Sequence, residues 1–509
     1  MIGDEERAER GEHIGHGEPE ENGAAPAVEV LVEGLPAAMS LAPSAGGVAL
    51  GGELLLDEEG HRGVESMRAG LRQAGPLAAA GVLANGANVI VTIAVARILS
   101  PHSYGVLNQL TGLFLILSMP GSAVVVAVVR RVTMWHEGGT GHLVRRWAGR
   151  VHRQGSLAVV AWGVVVFATR HWIAVLLGQR SGIGIAAILT AAGFFVLLSL
   201  DRGLLQAHRA YRPLAANLLV EGGTRTAAVL VLVGAGKGPS GAAIGMLVAE
   251  AATAAHARYC AVRAWSTDDH PKRAAGSFWK SGWLAAVRPD HVLDGSRDAR
   301  KRVLLDLAAA SLSLSMVAVL QNVDVLVVGR DNPSHSGAYA AVSVTSKVIV
   351  FGALVLGGYL LPEAAIRWRQ GGHALRQLAV VLVLLSVPAV ALLAVALGAS
   401  HLLLGIVFHH AYAAAASALA PLVGAMILLS ISVILTMYLL AIGRRWVGGV
   451  LAAGGLALGL AVSSVHGNPH ATALVDLAVQ AGVVIVIVVG FTVVHGAHLR
   501  RRPAPAGLT

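Results

Sequence analysis

A single cysteine, Cys260, in a chain of 509 residues excludes any intrachain disulfide. No His/Asp partner pattern surrounds it, so it reads as a small apolar filler near a helix end. Charge is also scarce: 13% of the residues are Asp, Glu, Lys or Arg, about half the usual share of a soluble domain. Aromatic residues make up 5%, too few for a core of stacked rings. In their place stand 55% hydrophobic residues and 61 glycines, with a mean hydropathy of +0.66. The bilayer is the solvent for such a chain, and small side chains let its helices approach closely.

A net charge of +10 raises the question of nucleic acid, and the placement of the charges answers it. The first sixty residues are acidic, with Asp4, Glu5, Glu6, Glu9, Glu18, Glu20, Glu21, Asp57, Glu58 and Glu59, so the basic excess belongs to the hydrophobic remainder. No nucleic-acid partner is expected. Residues 1–72 show no sustained periodicity and are expected to form a disordered acidic cytoplasmic tail.

From Pro76 onward, apolar windows of about twenty residues recur, each long enough to cross a hydrocarbon core of ~30 Å. About twelve are found, at 76–99, 105–129, 155–177, 182–201, 213–234, 240–262, 303–329, 337–361, 378–407, 414–441, 446–465 and 471–495. In lipid the backbone must satisfy its own hydrogen bonds, which leaves helices or a closed barrel. Continuous apolar runs without alternation exclude the barrel. The fold class is therefore all-α and polytopic.

Lys and Arg collect in alternate loops. Arg130, Arg131, Arg145 and Arg146 follow the second span, Arg202, Arg209 and Arg212 the fourth, and Lys272, Arg273, Lys280, Arg288 and Arg300 the sixth, whereas the opposite loops hold only Arg170, Arg180, Lys237 and Arg330. The positive-inside rule then places both termini in the cytoplasm, and a multi-pass protein of the plasma membrane is expected. In 143–154, Leu143, Val144, Trp147 and Val151 alternate with arginines at helical spacing, predicting an interfacial amphipathic helix; Phe278, Trp279 and Trp283 predict a similar belt.

The spans divide six and six. Ser100-Pro101-His102-Ser103-Tyr104-Gly105 follows the first, and Asn332-Pro333-Ser334-His335-Ser336-Gly337-Ala338-Tyr339 follows the seventh. An even number of crossings per half gives a parallel repeat, and hence two six-helix lobes around a central cleft. The expected domains are the tail 1–72, an N-terminal lobe 73–265, a basic cytoplasmic linker 266–302, a C-terminal lobe 303–497 and a short tail 498–509.

Several motifs fail. Gly234-Ala235-Gly236-Lys237-Gly238 lacks the first P-loop glycine and the Ser or Thr after its lysine, and reads as an external turn. His136-Glu137 has Thr140 where a zincin needs its second His, and His409-His410 has no third ligand nearby. No metal and no cofactor is expected.

Polar residues inside the spans are more informative, because burying them in lipid is costly. Asn217, Glu221 and Arg225 lie four apart on the fifth span, where Glu221 and Arg225 can also form a plain helix-locking pair. Tyr339, Ser343 and Lys347 form a stripe on the eighth; Ser311, Ser315 and Asn322 form one on the seventh, with Asp324 on another face. Glu250 has no evident partner, and Asp476 reads equally as interfacial or interior. Converging on the cleft, Arg97, Arg225 and Lys347 would offer fixed positive charge to an anionic head group such as a diphosphate. Snorkelling alone also accounts for Arg97. Glu221, Asp324, Asn322 and Glu250 are the candidates for binding a coupling proton or cation.

Ala96-Arg97-Ile98-Leu99-Ser100-Pro101 through Tyr104-Gly105, Arg202-Gly203-Leu204-Leu205-Gln206-Ala207, Glu221-Gly222 through Arg225, Gln321-Asn322-Val323-Asp324, Gly337-Ala338-Tyr339 and Leu361-Pro362 occur in that order over residues 76–495. This series resembles the polysaccharide-biosynthesis and oligosaccharide flippase family, of the superfamily that also holds lipid II flippases and multidrug and toxin extrusion antiporters. The resemblance implies two bundles of six helices, alternating access, and export of polyprenyl-diphosphate-linked oligosaccharide for cell-envelope or capsular polysaccharide. It implies membrane lipids, a polysaccharide polymerase and glycosyltransferases as partners. The acidic tail departs from the family pattern. The rival readings are a cation-coupled multidrug-type antiporter and a membrane glycosyltransferase or ligase. A transferase needs a structured wet site in sizeable external loops, and these loops are short.

Overall fold

A computed structural model describes residues 79–500 except 82, 85, 138–141, 209, 267–296 and 370–374. The expected acidic tail, most of the basic linker, and Phe278, Trp279 and Trp283 lie outside the described residues. The described residues are all-helical: α1 Ala79–Ile98, α2 Pro101–Ser118, α3 Pro120–Glu137, α4 His142–Leu176, α5 Gly182–Ala207, α6 Tyr211–Gly234, α7 Gly238–Ser266, α8 Arg297–Asp331, α9 Ser336–Ser346, α10 Val348–Arg369, α11 Leu375–Gly398, α12 Ser400–Val407, α13 Leu419–Ala441, α14 Trp446–Ser463 and α15 Pro469–Arg500. A 3-10 segment, His410–Ala418, leads into α13. Among the described residues, eleven crossings, several built from two consecutive helices, are long and apolar enough for a membrane. The 29-residue α7, richer in Ala and Gly, packs along α5 and α6 as the sixth member of the first set.

The helices form two lobes, α1–α7 and α8–α15. In the first, α7 lies against α5 and α6, and α5 also carries α3 and α4; in the second, α13 joins α10, α11 and α15, and α14 joins α8 and α15. Small residues set the spacing. A Cβ at Gly245 of α7 would fall 2.8 Å from the Val229 amide nitrogen of α6, so only glycine allows that backbone approach. Outward surfaces stay apolar, as at Trp172 and Leu460, 82% and 76% exposed, because lipid rather than water covers them.

Three expectations change. The amphipathic stretch at 143–154 is not a separate interfacial helix but the first turns of the 35-residue α4. Its apolar face packs on protein: Val144 and Ala148 are buried with Val128, Val132, Leu200 and Leu204. Trp147 stacks edge-on against Trp135, and Arg131 lies over both rings. Second, Arg202 is not a loop charge; α5 continues to Ala207 and Arg202 is fully buried. Third, the eighth and ninth spans are each broken, at Lys347 between α9 and α10 and at Ala399 between α11 and α12.

The lobes meet where the two repeated turns lie. The α2 helix packs on α8 and α9, and α3 also touches α8. His102 Nδ1 lies 3.1 Å from the Pro333 carbonyl, and Gln109 Nε2 donates to the Leu326 carbonyl at 3.0 Å. Tyr104, Phe408 and Tyr412 form a ring cluster at the same end, and the Tyr412 hydroxyl donates to the Ala96 carbonyl at 2.6 Å.

Candidate functional site

Next to that contact a partly open cavity of about 130 Å³ lies between the lobes. The first lobe presents Asn88, Asn108 and Arg225 to it, and the second presents Asn322, Lys347 and Phe351. Arg225 comes from the middle of α6, held by regular helix on both sides. Lys347 sits at the α9–α10 break, a discontinuous crossing of the kind that frees backbone and side chain at mid-membrane depth.

Behind Arg225 lies a charge-balanced network. Arg225 NH2 donates to Glu221 Oε1 at 2.6 Å and also pairs with Glu250 of α7. The other oxygen of Glu221 accepts from Arg202 NH2 at 2.6 Å, and Arg202 Nε donates to Asn217 Oδ1 at 2.7 Å. Asn217 in turn donates to the Thr253 carbonyl at 3.0 Å. Two arginines and two glutamates, all buried, thus neutralise each other, the condition under which charges persist in a low-dielectric interior. Only Arg225 of the four reaches the cavity. The i,i+4 pair and a place on the cavity wall, separate alternatives in the sequence, thus occur together at Arg225.

The second lobe repeats the theme with fewer charges. Lys347 Nζ donates to Asn322 Oδ1 at 3.1 Å, and Asn322 Nδ2 is anchored on the Ala318 carbonyl at 2.8 Å. The Tyr339 hydroxyl donates to Asp324 Oδ2 at 2.8 Å, while Gln480 Nε2 donates to Asp476 Oδ1 at 3.1 Å. Asp324 and Asp476 are both fully buried, so Asp476 is interior. Among the described residues, Asp324 Oδ1 and Asp476 Oδ2 have no hydrogen-bond partner.

Of the sequence candidates, Arg225, Lys347 and Asn322 line one cavity; Glu221, Glu250 and Asp324 stand in the layer behind it. Arg97 does not join them. It is exposed, and its NH2 donates to the Ile406 carbonyl at 3.0 Å, capping the last turn of α12. Tyr104, Asn108 and Asn88 went unselected in the sequence. Asn108 and Tyr104 share a helix face four residues apart, a signal hidden by the turn motif that claims Tyr104. His409 and His410 pack ring against ring, 5.9 Å apart, and no group of three metal-binding side chains occurs among the described residues. Cys260 has a neighbour the sequence did not suggest, with His256 Nε2 3.7 Å from its sulfur.

No family model matches the chain, and no curated protein matches it in sequence. Solved structures do. An inward-facing multidrug resistance MATE family transporter of the MOP superfamily aligns at a TM-score of 0.61 and 11% identity, over 82% of this chain and 96% of that one. Lipid II flippase MurJ, in an inward closed conformation, aligns at 0.56 and 11% identity, over 79% and 85%. A MOP superfamily transporter from Pyrococcus furiosus, whose binding pocket is described as of reverse polarity, aligns at 0.52 and 13%, over 92% and 95%. The chain is a multi-pass membrane protein with two helical lobes. Its fold is that of the MOP-superfamily transporters.

Proposed function

We propose that the protein is a flippase that moves a polyprenyl-diphosphate-linked oligosaccharide across the plasma membrane by alternating access, with both termini in the cytoplasm. One observation carries this reading: Arg225 and Lys347 face the same cavity from opposite lobes, and no carboxylate is among the described residues lining it. Guanidinium and ammonium donors from opposite lobes suit a diphosphate, whose oxygens accept charge-assisted hydrogen bonds, with Glu221 and Glu250 behind Arg225 balancing its charge while the cavity is empty of cargo. The resemblance of Ala96–Gly105, Glu221–Arg225 and Gln321–Asp324 to the oligosaccharide flippases supports the same cargo.

The geometry suits alternating access. Because each lobe supplies one cation, the anion site is complete only when the lobes are together. Parting them separates Arg225 from Lys347, weakens the hold on the diphosphate and opens a path to one side. At about 130 Å³ the cavity falls below the roughly 300–1,000 Å³ of ordinary ligand pockets, so cargo enters only a more open form. Glu221, Glu250 and Asp324 supply buried carboxylates for a coupling proton or cation. On this reading the cell-envelope polysaccharide polymerase and glycosyltransferases act on either side of the transport step.

A second reading, a cation-coupled multidrug antiporter, draws on the buried Asp324 and Asp476. Neither carboxylate reaches the cavity wall, where a cationic drug would meet Arg225 and Lys347. Depletion in a native host separates the two: accumulation of lipid-linked oligosaccharide on the inner leaflet supports the flippase, and intact glycan export with new drug sensitivity supports the antiporter.

A further inference from the structure

We infer that the cavity holds its cargo in one axial orientation, with a saccharide subsite at Tyr104 and Asn108 between the cationic pair and the closed end of the lobes. The inference rests on the flippase reading and adds to it which part of the cargo each wall contacts.

Position along the helices sets the order of the chemistry. On α2, Tyr104, Asn108, Thr111, Gly112 and Leu115 all line the cavity. A Cβ at Gly112 would fall 3.4 Å from the Cβ of Asn322, the residue that holds Lys347, so Gly112 marks the level of the second-lobe cation. Tyr104 lies eight residues, about 12 Å, nearer the closed end. On α1, Asn88 Oδ1 stands 3.5 Å from Arg225 NH1, and Ala96, again eight residues or about 12 Å along, receives the Tyr412 hydroxyl of the ring cluster. Both cations therefore lie at one level, and the aromatic cluster caps the other end.

Between them the wall changes character, from charge to neutral donors and hydroxyls. The Tyr104 hydroxyl and the Asn108 side-chain nitrogen are buried and have no hydrogen-bond partner among the described residues. Tyr104 is 3% exposed and neither atom is open to water, even from the cavity, so cargo reaches these two donors only when the cavity widens. An unmet buried donor is costly, and two of them on one face of a cavity wall point to a ligand that supplies acceptors. Thr111 at the cationic level and Thr92 one turn nearer the closed end add hydroxyls, but each already donates to its own helix, to the Leu107 and Asn88 carbonyls, and so offers its oxygen only as an acceptor. Neutral donors, hydroxyl acceptors and an aromatic ring suit a sugar, which carries hydroxyls around an apolar ring face. They do not suit a second phosphate, for which a cation would be needed. The sugar joined directly to the diphosphate takes this subsite, about 6–12 Å from the level of Arg225 and Lys347 toward the closed end.

The test uses the full-length protein in detergent and two probes, a polyprenyl diphosphate and the same lipid bearing one hexose. The wild-type protein is expected to bind the glycosylated probe more tightly. Tyr104→Phe and Asn108→Ala each reduce that preference by about fivefold to tenfold, the worth of one hydrogen bond. Tyr104→Phe removes an unpartnered hydroxyl, so its melting temperature stays near wild type and a binding change is not an unfolding artefact. A wild-type protein without preference, or variants that keep it, overturns the saccharide subsite while leaving the anionic site standing. Arg225→Gln and Lys347→Gln that weaken neither probe overturn the flippase reading instead.

Discussion

Gly337 lies so close to Pro101 that a Cβ built on it would fall 1.8 Å from the Pro101 carbonyl oxygen. The relation is reciprocal, since a Cβ at Gly105 would fall 2.1 Å from the Ser336 hydroxyl. Gly105 and Gly337 occupy matching places in the two repeated turns, so the halves close by pressing each turn's glycine on the other's backbone. Gly337→Val is expected to hold the lobes apart there. Overpacking of about 1–3 kcal/mol lowers the ratio of closed to open forms roughly fivefold to 150-fold. In a Cys260→Ser background, a cysteine at Asn108 then reacts faster with a maleimide, and an unchanged rate contradicts this role for the contact.

Glu221 bridges Arg202 and Arg225, whereas Glu250 serves Arg225 alone among the ion pairs observed. Removing Glu221 leaves two buried guanidiniums short of a partner. Glu221→Leu is therefore expected to destabilise the protein by about 3–5 kcal/mol, and Glu250→Leu by less. Thermal melting in detergent ranks the two, and the reverse order excludes the network as described.

For a diphosphate probe, Arg225→Gln and Lys347→Gln each weaken binding by about tenfold to hundredfold, the range of a hydrogen bond to a charged group. Arg97→Gln, outside the cavity, stays within about threefold of wild type. A titration that puts Arg97 beside the other two shows the cavity to be wrongly drawn.

Asp324→Asn keeps an oxygen for the Tyr339 hydroxyl but removes a proton-binding group. Transport in vesicles is expected to lose its response to an imposed ion or proton gradient while probe binding persists. A full gradient response in the variant removes Asp324 from the coupling role.

Much of this was legible in the sequence because lipid permits few alternatives. Apolar runs fixed the crossings, and charges at mid-span, such as Arg225 and Lys347, had only a cleft or a partner to face. What escaped was contact between helices. Glu250 finds Arg225 across 25 positions, and nothing local announces the pair. Arg202 passed for a loop charge because it follows the apolar run of α5 by one residue, yet its partner on α6 keeps it inside the bundle. The first turns of α4 carry the pattern of a membrane-surface helix, since an apolar stripe facing protein is indistinguishable in sequence from one facing lipid. Tyr104 and Asn108 show their unmet donors only once the neighbours are in place.

Flipping of a fluorescent polyprenyl-diphosphate-linked sugar by the purified protein in sealed vesicles is the most direct measurement. Wild-type protein is expected to expose the probe to an external quencher on both leaflets, and the Arg225→Gln/Lys347→Gln protein to lose at least about tenfold of that rate. Equal rates in the two proteins, or movement of cationic dyes in place of the lipid-linked sugar, contradict a cargo held by its diphosphate between the lobes.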